Sequence, residues 1–104
     1  MCYDARVRFR FADAKLQLLY TTGRGGKRYP SQVVDAFLDA VAIIDAARDE
    51  RDLYAQKGMR FEKLKGDRAG QRSLRLNQQW RLILTIERDA DGSFIRIIEI
   101  ADYH

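Results

Sequence analysis

Hydrophobic and polar positions alternate strictly from Arg6 to Phe11, in the string RVRFRF. Val7, Phe9 and Phe11 point one way and Arg6, Arg8 and Arg10 the other, which predicts a half-buried strand with a basic outer face. Such a strand suits a sheet edge, where charged side chains discourage pairing with another chain. From Asp13 to Tyr20 the period changes: Leu16, Leu19 and Tyr20 fall on one side at helical offsets, predicting a short helix. The next ten residues, TTGRGGKRYP, hold three glycines and three cations and predict a connection. Pro30 and Ser31 then open the main helix, placed at about residues 31–48. Its buried stripe is Val33, Val34, Phe37, Leu38, Val41, Ile44 and Ala47, at three- and four-residue steps. Asp35, Asp39, Asp45 and Asp49 lie mainly on the other side and read as a solvated helix face rather than a catalytic row.

Arg51 to Gly58 reads as a polar connection or short turn carrying Leu53 and Tyr54. The sheet resumes weakly from Met59 to Leu64, and Gly66, Asp67 and Gly70 mark turns. Gln71 to Asn77 alternates, with Leu74 and Leu76 on one face and Ser73, Arg75 and Asn77 on the other. A turn at Asn77 to Gln79 leads into Trp80 to Glu87. There Trp80, Leu82, Leu84 and Ile86 point inward, opposite Arg81, Ile83, Thr85 and Glu87. Asp89 to Gly92 is a second hairpin turn, and Phe94 to Ile100 is apolar on both faces, as a central strand would be. The order β-α-α-β-β-β predicts an α+β domain, a mostly antiparallel twisted sheet with two helices packed on one face. The other face then carries Arg75 and Arg81, partly open to solvent.

Composition narrows this picture. At 104 residues the chain is one domain, and 46% hydrophobic content supports a core rather than disorder. No apolar run approaches the roughly 20 residues of a membrane helix. The beginning of the chain alternates and is charged too early to read as a signal peptide, so a cytoplasmic protein without membrane partners is expected. The single cysteine, Cys2, has no partner for an internal disulfide, and no Cys/His cluster has metal-ligand spacing. The net charge of +4 and pI near 9.5 favour encounters with polyanions without identifying one. The loop TTGRGGKRYP lacks the GxxxxGK[ST] spacing of a phosphate-binding loop and follows no strand directly, so it reads as a flexible link between helices.

The positive charge is densest between Arg60 and Arg81, where Lys63, Lys65, Arg68, Arg72, Arg75 and Arg81 recur. The string LKGDRAGQRSLRLNQQWRLIL, from Leu64 to Leu84, and the ending EIADYH, from Glu99 to His104, resemble the HigB toxins. These belong to the RelE/ParE superfamily of type II toxin–antitoxin systems. The resemblance spans essentially the whole chain as a single domain, 1–104, and is strongest over its last 45 or so residues. It implies a RelE-like microbial RNase fold and a metal-free mRNA interferase that enters the ribosomal A site and cuts the message there, with no cofactor. It further implies as partner a HigA-like helix-turn-helix antitoxin, through which alone the toxin meets operator DNA. By motif, the working residues are Lys65, Arg81, Asp102, Tyr103 and His104. Glu62 stands where many HigB toxins have a histidine, three residues before the lysine of the motif.

Metal-free cleavage of RNA needs a base for the 2′-OH proton, cations for the phosphorane and an acid for the leaving 5′-oxygen. His104, the only histidine, suits either proton role; away from the motif, a terminal histidine reads as a surface passenger. Asp102 either tunes His104 or is itself the base. Tyr103 either meets base or phosphate, or simply packs at a strand end. A planar guanidinium at Arg81 matches a phosphate, and Lys65 offers a point charge or a proton. At Glu62 a carboxylate accepts a proton but repels phosphate when ionised. Arg75 shares the parity of Arg81, and Arg6, Arg8, Arg10, Arg68 and Arg72 suit docking on ribosomal RNA through phosphates. Trp80 reads as core rather than as a base-stacking platform. Two other classes remain: a non-catalytic, gyrase-directed ParE-like toxin, against which the DYH ending counts, and a weakened relative retained for binding antitoxin or RNA.

Overall fold

The computed structural model describes residues 8–48 and 50–102. Arg6, Tyr103 and His104 lie outside the described residues, as do Val7 of the first strand and Asp49. Five strands form one sheet, β1 (Arg8–Phe11), β2 (Glu62–Lys63), β3 (Gln71–Arg75), β4 (Trp80–Asp89) and β5 (Gly92–Asp102). Their spatial order is β1-β5-β4-β3-β2. Only the pairing of β1 with β5 is parallel; the other three are antiparallel. β1 is an edge strand, as its basic outer face predicted, and the apolar β5 is internal.

Between β1 and β2 the chain builds α1 (Ala14–Thr22), α2 (Ser31–Ala46) and α3 (Glu50–Tyr54). Asp13 caps α1 by accepting from the Lys15 backbone N–H at 2.8 Å, and Gly23 ends it in the left-handed region at φ 76°. α2 starts behind Pro30, whose carbonyl accepts from the N–H groups of Val33 and Val34. It buries Val33, Phe37, Ala40, Val41 and Ile44. These residues meet Leu74, Leu82, Leu84, Ile95, Ile97 and Ile100 of the sheet in one core, with Leu16 and Leu19 of α1. At roughly 25 cal/mol per Å² of apolar area, this burial dominates the stability of the fold.

Three elements differ from expectation. The stretch read as a polar connection holds α3 and a single 3-10 turn at Lys57–Met59, because Leu53 is fully buried and needs a helical turn to reach the core. The strand expected from Met59 to Leu64 shrinks to two residues, following a left-handed Arg60 at φ 46°. β5 runs longer than predicted and carries a bulge: Ile83 pairs with Glu99 but Leu84 pairs with Ile97, leaving Ile98 extra. One extra residue inverts the faces of a strand. Ile95, Ile97, Ile100 and Asp102 therefore share the helix-covered side, whereas Phe94, Arg96, Glu99 and Ala101 share the other.

Candidate active site

The face away from the helices is built as rows of directly paired residues, because cross-strand partners share a side. Across β3, β4 and β5 the first row is Arg75, Arg81 and Ala101. The second runs from β2 to β5 as Glu62, Ser73, Ile83 and Glu99. The third is Gln71, Thr85, Arg96 and, on β1, Arg10; the fourth is Glu87, Phe94 and Arg8. Arg75 and Arg81 thus face each other across neighbouring strands, both half-buried. Like charges held opposite one another destabilise a sheet, so this pair is a feature with a cost. The chain supports it with a turn in which the Asn77 side-chain oxygen accepts from the N–H groups of Gln79 and Trp80, both at 2.8 Å.

This face is not bare. Ile83 is fully buried on it, and Ser73, Phe94 and Ala101 are nearly so. The cover is guanidinium. Arg68 donates to Gln71 Oε1 on β3 at 3.0 Å and to Glu99 Oε1 on β5 at 3.3 Å. Strands lie about 4.8 Å apart, so a side chain that reaches both β3 and β5 must lie across β4. Arg68 is therefore a strap over the middle of the sheet, thrown from the loop that begins at Lys65. Lys65 itself is exposed and extended, just before Gly66 turns the chain at φ 68°.

At the far end, Arg8 grips Asp89 with both terminal nitrogens, at 2.7 and 3.1 Å, and Arg10 reaches the same carboxylate at 3.2 Å. These contacts pull the Asp89 carboxyl down to about 2, Arg8 being the largest cause, and Asp89 in turn raises the pKa of Arg8. Arg96 donates to Glu87 at 2.8 Å, and Thr85 donates to the same oxygen at 2.7 Å. The Thr85 hydroxyl first and Arg96 second hold Glu87 below the usual carboxylate range. The Phe94 ring lies 4.5 to 5.7 Å beneath the guanidinium carbons of Arg8, Arg10 and Arg96.

Of the residues expected from sequence, the fold brings Glu62, Arg75 and Arg81 onto one face, with Arg68 strapped across it and Arg8 and Arg10 at its other end. Arg72 pairs with Leu84 and so belongs to the helix side. Asp102 pairs with Trp80, on the helix-covered side at the sheet's end, and accepts from Gln79 Nε2 at 3.1 Å. It does not share the face of Arg81, and the bulge in β5 is the reason. Sequence reasoning missed the burial of Ser73 and Ile83 and the carboxylates Asp89, Glu87 and Glu99 that organise the arginines. Opposite charges spaced along alternating strands were the available signal. Among the described residues no group of three or more His, Cys, Asp or Glu side chains gathers as a metal site. A cavity of about 230 Å³ lies instead beside α1, lined by Leu16, Leu19 and Tyr29 with Arg24 and Arg28. It is a dip in the helical layer, its Tyr29 packed edge-on against Trp80 on the other side of the sheet from the paired arginines, and we give the chemistry to the sheet face.

Comparison with known proteins agrees with this architecture. Residues 9–104 match the model of the family described as RelE-like toxin of type II toxin-antitoxin system HigB. The chain belongs to the HigB-like toxin family. It is 38% identical over 73 residues to Toxin HigB-1 of Vibrio cholerae serotype O1, a match covering 70% of this chain and 77% of that protein. Among solved structures it resembles the YoeB-YefM complex from Staphylococcus aureus, with a TM-score of 0.57, 21% identity and coverage of 95% and 98% of the two chains. The YoeB/ParE toxin from Agrobacterium tumefaciens gives 0.55 and 16%, with coverage of 94% and 99%. At those identities the likeness is one of fold. A HigB-like toxin is the toxin half of a type II system, and an antitoxin is its implied partner. No helix among the described residues is long and apolar enough to cross a membrane.

Proposed function

We propose that this toxin is a ribosome-dependent endoribonuclease of the cytoplasm that cuts translated mRNA in the A site and is neutralised by a HigA-like antitoxin. The observation that carries this reading is the Arg75–Arg81 pair, two guanidiniums set opposite each other on neighbouring strands of one sheet face. A phosphodiester between them gains planar, charge-assisted hydrogen bonds from both. That gain rises as charge builds on the phosphorane oxygens, so it accelerates the chemical step. The reaction is attack of the 2′-oxygen on phosphorus with loss of the 5′-oxygen, leaving a 2′,3′-cyclic or, after hydrolysis, a 3′-phosphate end. Glu62, Asp102 and His104 are the groups offered for proton transfer. Lys65 adds charge or a proton from the loop beside the face, and Tyr103 a contact to base or phosphate.

Within the wider basic set, Arg10 reaches Asp89 yet stays exposed and suits contact with ribosomal RNA, and Arg6 and Arg72 are offered as further contacts. Arg8 and Arg68 are tied down by Asp89, Gln71 and Glu99, and serve chiefly to shape the surface. The test is primer extension on mRNA under translation. The intact chain should produce discrete cuts within codons, and the variant carrying Arg81→Ala with His104→Ala should produce none. Equal cutting by both chains, or no cutting alongside inhibition of gyrase supercoiling, would overturn the reading.

A further inference from the structure

The strap formed by Arg68 lies over two residues of the open face that are each other's direct partners, Ser73 on β3 and Ile83 on β4. Ile83 is fully buried. Ser73 is the one polar or charged residue buried among those described, at 1% exposure, and its hydroxyl has no hydrogen-bond partner. A buried hydroxyl without a partner is destabilising, and such groups are rare enough in native folds to require a reason. Packing does not supply one, since alanine fits the same place on a strand without the penalty. The cover above the pair is weakly held. Arg68 reaches Glu99, the partner of Ile83 on β5, at 3.3 Å, with 38% and 45% of the two side chains exposed. An ion pair so exposed adds little to stability. The floor is thus apolar, its one polar group is unused, and its roof is a planar guanidinium on a loose tether.

We propose that this is a nucleobase slot: the base next to the phosphate gripped at Arg75 and Arg81 enters between Ile83 and the Arg68 guanidinium, and its edge meets the Ser73 hydroxyl. This rests on the endonuclease reading above and names a part of the message that the sheet face holds. Ser73 and Ile83 lie one row beyond Arg75 and Arg81, two residues along each strand or about 6.6 Å. A base and the phosphate beside it therefore meet both rows at once. Phosphate and ribose have no flat apolar face to set on an isoleucine; a base does. Unpaired bases of RNA are held by stacking on guanidinium planes and by hydrogen bonds to their edges. A hydroxyl both donates and accepts, so Ser73 serves the edge of any base. Entry of the base takes one Arg68 nitrogen off Glu99, and the guanidinium closes again over the base while its contact to Gln71 stays. No covalent bond changes in this step. In the free chain Arg68 covers the slot and keeps water off Ile83, which is why the hydroxyl is buried and unpartnered.

The experiment uses ribosome-bound messages in which each A-site nucleotide in turn lacks its base. Wild type, Ser73→Ala and Arg68→Lys are compared in cleavage, with thermal melts of each. In wild type, removing the base at one position should lower kcat/KM by about tenfold. Ser73→Ala deletes the edge contact, and Arg68→Lys keeps the charge while deleting the plane. Each should cut the intact message about threefold to tenfold more slowly, and lose markedly less than wild type when that base is removed. Ser73→Ala should melt at or above the wild-type temperature. No cost of base removal at any position in wild type, a cost that stays at the wild-type size in either variant, or a lowered melting temperature for Ser73→Ala would each overturn the slot. If the wild-type chain cuts nothing, the endonuclease reading fails by itself. The slot is then judged by the fluorescence of a single-stranded RNA oligonucleotide carrying 2-aminopurine. Quenching that weakens in Arg68→Lys supports it, and no quenching, or equal quenching by both chains, overturns it.

Discussion

The two ends of one sheet face treat the same side chain in opposite ways. Beside the β4–β5 hairpin, Arg8, Arg10 and Arg96 are met by the carboxylates of Asp89 and Glu87 and lie against the Phe94 ring. Beside the β3–β4 turn, Arg75 and Arg81 are set against each other. The first arrangement lowers the energy of the folded chain by itself. The second puts two like charges side by side on neighbouring strands. An arginine in an alternating strand is therefore no indicator of a nucleic-acid contact on its own.

The sharpest way to break this contrast is at Arg81. Arg81→Ala should reduce mRNA cleavage by about a hundredfold or more, the scale of losing one transition-state donor. Its melting temperature should stay near that of wild type, because a half-buried guanidinium at the surface contributes little to folding. A chain that melts much lower and still cuts would invert the assignment of the two ends. Next in size is Asp89→Asn, which removes the shared partner of Arg8 and Arg10. It should lower the melting temperature by a few degrees and leave cleavage by the folded fraction close to wild type.

Acidification probes the same clamp. The Asp89 carboxyl is held at about 2, below its usual value, so its stabilising contribution is complete above the ordinary carboxylate range. It is lost as pH falls through that range toward 2. Circular-dichroism melts in this window should show a drop that is smaller in Asp89→Asn; identical profiles would remove the clamp from the account. The smallest effect belongs to Arg10→Ala. Its exposed guanidinium should contribute about one unit to the salt dependence of ribosome binding, with codon choice unchanged, and a slope equal to that of wild type would confine Arg10 to the clamp.

Much of the fold was legible from local pattern. The switch from period two to helical period located β1, α1 and α2, and the turn residues at Asn77 and Gly92 located both hairpins. These signals are local, because side-chain direction in a helix or strand follows from its own backbone. α3 was missed because one buried leucine among polar residues gives no period. The candidate site was legible as a set of residue types but not as a set of neighbours. Strict alternation placed Arg75, Arg81 and Ser73 on one side, as the structure does. The same rule fails along β5, because the extra residue at Ile98 hands Asp102 to the side of Trp80.

The sequence alone determined the class of the chain, its helix stripe and the parity of the paired arginines. All of these depend on residues a few positions apart. Only the tertiary structure decided which carboxylates meet Arg8, Arg10 and Arg96, that Arg68 straps the sheet from a loop to Glu99, and that the Ser73 hydroxyl is sealed without a partner. Those outcomes turn on groups tens of residues apart along the chain. Side-chain burial and counter-charge are properties of the packed sheet, and no local period encodes them.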